Sequence, residues 1–256
     1  MSDAVLSEVR GRVLVITLNR PEARNAVNGD VATGLEAAVD RLEDDDALWV
    51  GVLTHNGPVF CAGADLKLIA SGRVAEMITT RGDFAGFVRR ERTKPIVAAL
   101  EGDAFAGGCE IAIACDLIVA AAGTRIGIPE VKRSLLAMAG GLAHLPRLVG
   151  EKVALEMALT GAPLGVERLY DVGLVNAVVE AGNALEHALE LADRIASNAP
   201  LAVRATRAAV VEGRGLGDAA RWQLALDKMM PLYASEDFRE GPTAFVEKRE
   251  PEWKAR

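Results

Sequence analysis

The chain has 256 residues, half of them apolar and a quarter charged, with a formal net charge of −7. That composition describes a folded globule large enough for one full core and excludes a disordered or fibrous chain. The acidic balance excludes a general binder of nucleic acid or of anionic membrane, so an anionic ligand has to be met by a local group of cations. Three cysteines, Cys61, Cys109 and Cys115, have neither zinc-site spacing nor the even number of a disulfide framework, which points to a reducing, cytoplasmic setting. The first ten residues carry acidic side chains and no basic start followed by an apolar run, which argues against secretion. The most apolar stretch, 111–122, is interrupted by Asp116 and falls short of the roughly 20 residues a membrane helix needs.

In chain order, Val13–Leu18 reads as a strand, and 30–42 as a helix with Val31, Leu35, Ala38, Val39 and Leu42 at helical spacing. A second strand is expected at 49–54, followed by the glycine-bearing segment 60–67, in which Asp65 is placed to cap the next helix. A third strand at 95–100 leads to a second glycine-bearing segment, 104–110, and a short apolar helix over 108–115. A fourth strand covers 117–120, and Gly127 and Pro129 fix the backbone before Glu130. From about residue 151 the windows are rich in Ala, Leu and Arg and read as helices, with breaks at 198–201 and 240–242. The pattern is α/β with a mostly helical C-terminal third.

Two backbone segments carry the chemistry. Gly107 and Gly108 lie after an expected strand and at a helix start, where free N–H groups and the helix dipole favour negative charge and the missing side chains admit a ligand oxygen. A tight turn needed only for packing is the competing reading of a Gly-Gly pair. In 60–67 the small residues Ala62, Gly63 and Ala64 keep the backbone accessible, and Ala64 offers a second N–H. Glu110 sits between Cys109 and Ile111, so it is either paired with a buried partner or held at a cavity with its pKa raised. Glu130 either pairs with Lys132 or Arg133 or faces the same cavity. Two carboxyls in one pocket repel each other and titrate apart, which gives a base and an acid near neutral pH. His55, His144 and His187 lack metal-ligand spacing. Met138 reads as core packing, and Trp222 with Met229 and Met230 as buried helix faces or a subunit contact.

Taken together, Asn-Arg-Pro-Glu-Ala-Arg-Asn-Ala at 19–26, Phe-Cys-Ala-Gly-Ala-Asp-Leu-Lys at 60–67 and Ala-Gly-Gly-Cys-Glu at 106–110 resemble the crotonase superfamily, in particular the enoyl-CoA hydratases, over nearly the whole chain. The resemblance implies a crotonase-like spiral of stacked ββα units over 1–195, and a helical region at 196–256 that joins copies into a trimer or a dimer of trimers. It implies that the N–H groups of Ala64 and Gly107 hold a thioester oxygen and that Glu110 and Glu130 are the catalytic pair. By the same resemblance Ala23, Arg24, Ala62, Gly63, Asp65, Leu66, Lys67 and Gly108 line the CoA site; read as residues alone, Arg20 and Arg24 near the early turn either touch CoA phosphates or are solvated side chains. Phe245 and Lys248 of the terminal helix join them, often from a neighbouring subunit. The implied substrate is an acyl-CoA that gains or loses water, without metal or separate cofactor, since CoA is part of the substrate. Double-bond isomerisation, carnitinyl-CoA-type dehydration and acyl-CoA binding without turnover are the alternatives. The chain departs from the better-known hydratases in placing Ala137 and Met138 at a Pro-Gly pair, and here it is similar to carnitinyl-CoA dehydratase-like members.

Overall fold

The computed structural model describes residues 3–256. Its strands are β1 (Val5–Arg10), β2 (Val13–Leu18), β3 (Val50–His55), β4 (Val59–Cys61), β5 (Ile78–Thr79), β6 (Asp83–Phe84), β7 (Ile96–Leu100), β8 (Asp103–Phe105), β9 (Leu117–Ala121), β10 (Arg125–Gly127), β11 (Leu164–Gly165) and β12 (Ala177–Val179). Its helices are α1 (Gly29–Asp44), α2 (Leu66–Ala70), α3 (Gly107–Ala114), α4 (Gly141–Leu148), α5 (Glu151–Thr160), α6 (Val166–Asp171), α7 (Ala184–Ala196), α8 (Pro200–Glu212), α9 (Asp218–Met229) and α10 (Glu236–Glu247). Among the described residues no helix is long and apolar enough to cross a membrane.

Six strands form one sheet in the order β1-β2-β3-β7-β9-β12, antiparallel only between β1 and β2, and four form a smaller sheet in the order β11-β10-β8-β4. The chain visits the two sheets alternately. β3, β7 and β9 lie in the large sheet, and each is followed directly by β4, β8 or β10 in the small one and then by helical structure. Each circuit is a ββα turn stacked on the last. The middle of the large sheet is covered on both faces, which is why β2, β3, β7 and β9 are near-continuous apolar runs, while β1 at its edge is exposed. Leu14, Ile16 and Leu18 of β2 join the main core with α1, while Val13 and Val15 face the second core, where Ala188 and Ala192 of α7 pack. The four strands expected in this sheet are found; the short strands of the small sheet carry too few residues for a periodic signal.

The C-terminal helices bury little within one chain. α9 has no buried residue, Trp222 is 75% and Met230 63% exposed, and Met138 is 83% exposed. The expectation of core packing for Met138 and of buried helix faces for Trp222 and Met230 is therefore corrected: within the chain these side chains have no element in front of them.

One buried amide ties the early turn to the sheets. Asn25 is fully buried; its Oδ1 accepts the Arg20 N–H at 2.7 Å, and its Nδ2 donates to the carbonyls of Asn56 and Val59 at 2.9 and 2.8 Å. Asn25 has φ 52°, a backbone region in which Asn is among the better-tolerated residues. Asn25→Ala removes three side-chain-to-backbone hydrogen bonds at once and is expected to lower unfolding free energy by about 3 kcal/mol. Urea or thermal melts check this, and an unchanged midpoint would contradict it.

Candidate active site

The segment after β4 is held against the early turn as a short parallel pairing. Ala62 N–H donates to the Arg24 carbonyl at 3.0 Å, Val27 N–H to Gly63 at 2.8 Å, and Asp65 N–H to Val27 at 2.9 Å. The Ala64 N–H is left over: among the described residues it donates to no protein acceptor. Asp65 caps α2 by accepting the Lys67 N–H at 3.1 Å and lies 3.5 Å from the Arg20 guanidinium.

Across from it, β8 ends at Phe105 and α3 begins at Gly107. Ala106 between them holds φ 53° and ψ −126°, a conformation L-residues rarely adopt, with its N–H fixed on the Gly127 carbonyl at 2.9 Å. As first residue of α3, Gly107 has an N–H without an intrahelical acceptor. The two segments touch. A Cβ on Gly63 would fall 2.7 Å from the Ala106 Cβ and 2.9 Å from the Gly107 nitrogen. One on Gly107 would fall 2.5 Å from the Phe84 ring, and one on Gly108 would fall 2.1 Å from the Cys61 carbonyl oxygen. Gly63, Gly107 and Gly108 are thus required by close approach, and the approach brings two free amides to one place.

Glu110 follows one turn into α3 and is 4% exposed. Its Oε1 accepts the Gly141 N–H at 2.9 Å, at the start of α4. Burial pushes its carboxyl up to about 7, the charge of Glu130 adds to the rise, and the Gly141 and Ala139 N–H groups oppose it. Glu130 lies in the short 3-10 turn Pro129–Arg133, and burial raises its pKa too, opposed by its own backbone N–H and by the charge of Arg133. Its Oε2 is buried without a hydrogen-bond partner. The expected alternative of an ion pair with Lys132 or Arg133 is corrected: both cations face solvent, and among the described residues neither pairs with Glu130. The charge of Glu130 instead reaches the Glu110 carboxyl and helps to raise its pKa.

Ala137, at the position of the sequence departure, is buried, and a Cβ on Gly141 would come 2.8 Å from its Cβ and 3.1 Å from Glu110 Oε1. The remaining expected residues spread outward from this centre. Ala23 is half-buried in the early turn, Arg24 is exposed, Leu66 is 51% exposed and Lys67 faces solvent. Phe245 is 85% exposed, and Lys248 is exposed at the C-cap of α10; no hydrogen bond among the described residues joins either to the carboxyl pair. Sequence reasoning missed Gly141, Phe84 and Asn25. A Gly-Gly ahead of an apolar run marks Gly141 as a helix start, whereas nothing local in the sequence places Phe84 on Gly107.

Two unpartnered N–H groups on touching backbones can hold an oxygen that gains negative charge, and a buried and a half-buried carboxyl, both with raised pKa, can exchange protons with a substrate beside them. The pH response of the fold reports the buried pair. With Glu110 at about 7 folded and 4.5 unfolded, the folded chain keeps a proton that the unfolded chain releases, so this group's stabilisation is full below about pH 4.5 and is lost as pH rises through about 7. Relative to Glu110→Gln, the wild type is expected to lose up to about 3 kcal/mol between about pH 4.5 and 8. Denaturant titrations of both across that range test it, and parallel pH profiles would contradict it.

A family model described as enoyl-CoA hydratase/isomerase matches residues 8–256. The crystal structure of an enoyl-CoA hydratase from Mycobacterium tuberculosis superposes with a TM-score of 0.96 at 45% identity, covering 100% of both chains. The chain is 39% identical to the mevalonyl-coenzyme A hydratase of Aspergillus fumigatus, over 94% of this chain and 91% of that one. It is 36% identical to the carnitinyl-CoA dehydratase of Proteus mirabilis over the full length of both. The ββα spiral and its helical C-terminal region are shared with that solved structure, and the chain belongs to the enoyl-CoA hydratase/isomerase family.

Proposed function

We propose that the protein is an enoyl-CoA hydratase that adds water across the double bond of a 2-enoyl-CoA thioester, or removes it from the 3-hydroxyacyl product. The observation that carries this reading is the meeting of two free amides with the buried carboxyl of Glu110, whose pKa is raised by burial and by the charge of Glu130. The Ala64 and Gly107 N–H groups donate to the thioester oxygen and stabilise the enolate formed when the β-carbon is attacked, at about 3 kcal/mol per donor. Glu110 takes the proton of the attacking water, because the Gly141 N–H favours its charged form. Glu130 supplies the α-carbon proton, because its Oε2 meets no donor and is the end suited to carry one. Water's oxygen and one proton enter the product, the second proton stays on the pair, and transfer from Glu110 to Glu130 resets the site. The scheme uses no metal or redox cofactor; CoA enters and leaves as part of the substrate.

Around the thioester, Ala62, Gly63, Asp65, Leu66, Lys67 and Gly108 form the track for the CoA arm, with Ala23 and Arg24 at its nucleotide end. The three buried, free thiols suit a cytoplasmic enzyme of fatty-acid metabolism. Glu110→Gln and Glu130→Gln are each expected to lower kcat for crotonyl-CoA hydration by about 10² to 10⁴. Following loss of the enoyl absorbance checks this, and wild-type turnover in both variants would reject the assigned roles. A double bond that shifts without water addition would favour the isomerase reading instead.

Residues 196–256 serve association between copies, and Phe245 and Lys248 reach a neighbour's CoA. Support comes from the unburied apolar faces of the C-terminal helices, Val210 at 67% and Trp222 at 75% exposed among them. Light scattering is expected to give three chains of 27.0 kDa or a multiple of three. A monomer at micromolar concentration would reject the assignment.

A further inference from the structure

Away from the catalytic centre, a cavity of about 730 Å³ lies where the stretch 88–93 meets the end of α3 and the face of α8. None of Ala64, Gly107, Glu110 and Glu130 lines it. Part of its lining is apolar: Val88, Ile113 and Ala114 come from the spiral, and Ala208 and Val211 from α8. The rest carries five arginines, in a chain whose net charge is −7.

Carboxylates answer some of these charges and not others. Arg89 lies 3.5 Å from Asp83, and Arg90 2.8 Å from Asp40. Arg92 and Arg207 share one carboxylate, Asp116, at 3.4 and 2.8 Å, which leaves one positive charge over. Among the described residues Arg214 has no carboxylate partner and adds a second. Of the lining acids, Glu43 is taken up by the backbone of Thr93 and Lys94 and by the Thr93 hydroxyl, and Glu212 by Lys228. Glu91 is exposed and forms no ion pair with these arginines. Donors are in excess as well: the Nε atoms of Arg90 and Arg92 are buried and donate to nothing, and the Arg92 side chain is only 4% exposed. The crowding is felt by the groups themselves. Burial, with the like charges of Arg147, Arg207 and Arg92 and against the pull of Asp116, lowers the pKa of Arg214. His144, half-buried on the same lining, is pushed down by burial and by the charges of Arg147 and Arg214.

We infer that this cavity is a binding site for a small organic phosphate monoester, separate from the thioester site. Its two uncompensated charges match a phosphate dianion, whose terminal oxygens suit guanidinium forks. The apolar lining takes the organic group, and the volume is that of a small-molecule pocket rather than of a bare ion. A bound dianion relieves the repulsion among Arg92, Arg207 and Arg214 and so ties α8 more firmly to the end of α3.

Calorimetry with phenyl phosphate, inorganic phosphate and benzoate at about pH 8, where a phosphate monoester is dianionic, reads the site without turnover. Phenyl phosphate is expected to bind most tightly of the three. Arg214→Met is expected to weaken it by about tenfold or more, as for a lost charge-assisted hydrogen bond, and Arg214→Lys to retain part of the affinity. Arg214 lies past the end of α8 and is exposed, so both variants keep the core; a wild-type circular-dichroism melt checks that. The second readout is the proton NMR titration of His144, one of three histidines and assigned with His144→Gln. Phenyl phosphate is expected to raise its pKa in the wild type and to leave it unmoved in Arg214→Met. No saturable binding of phenyl phosphate at millimolar concentration, an affinity that survives Arg214→Met, or a His144 titration that phenyl phosphate does not shift overturns the inference. Equal affinity for benzoate rejects the dianion, and equal affinity for inorganic phosphate rejects the organic group.

Discussion

The contact between Gly63 and Gly107 is the constraint on which the site depends. Two chain segments more than forty positions apart approach until a single added Cβ would overlap the other backbone. That closeness needs β4 and β8 side by side, and their register shifts between Val59 and Cys61, just before the segment turns out of the sheet. It also needs Ala106 in a strained conformation, held there by the Gly127 carbonyl of the next strand. The rigid layers around it keep the strained residue in place, so the amides are aimed before any ligand arrives, which is the source of their electrostatic advantage.

The carboxyl pair is arranged by the same stacking. A glutamate in the first turn of an apolar helix is costly to bury, and the chain offsets that cost with the free N–H groups at the start of α4. This makes the geometry of residues 137–141 a matter for Glu110. Ala137 fills the space beside Gly141 while Met138 turns outward, so the departure from the Pro-Gly pattern leaves the carboxyl's backbone donor intact and alters instead what stands at the surface of the site.

Much of this was legible in the sequence, and the reason differs by residue. The central strands of the large sheet are buried on both faces, so β2, β3, β7 and β9 stand out as apolar runs, and α1 shows its core stripe. The small-sheet strands are three residues or fewer and take their structure from their neighbours, which no local pattern records. Gly107 and Glu110 were visible because a glycine pair and a charge are conspicuous at a helix start. Asn25 and Phe84 were not, because a buried asparagine and a ring lying on a glycine are defined only by long-range contacts. Trp222 and Met230 mislead for the opposite reason: apolar character predicts burial, but it does not say whether the covering surface belongs to the same chain.

The helical region is joined to the spiral by a polar network. Asp116, just past the end of α3, accepts from Arg207 of α8 and from the backbone of Ile96, and lies beside Arg92, which in turn offers its carbonyl to Arg207. Partly buried ion pairs add little net stability, because desolvation offsets most of the attraction. What they fix is geometry: guanidinium forks in defined orientations set where α8 lies against α3. The apolar contacts of α8 alone would permit sliding, since Pro200 is its only buried residue. Arg92 and Arg207, which seat the helix, also line a cavity together with Ile113 and Ala114 of α3, so the cations that face it are held in place by the docking of α8 itself.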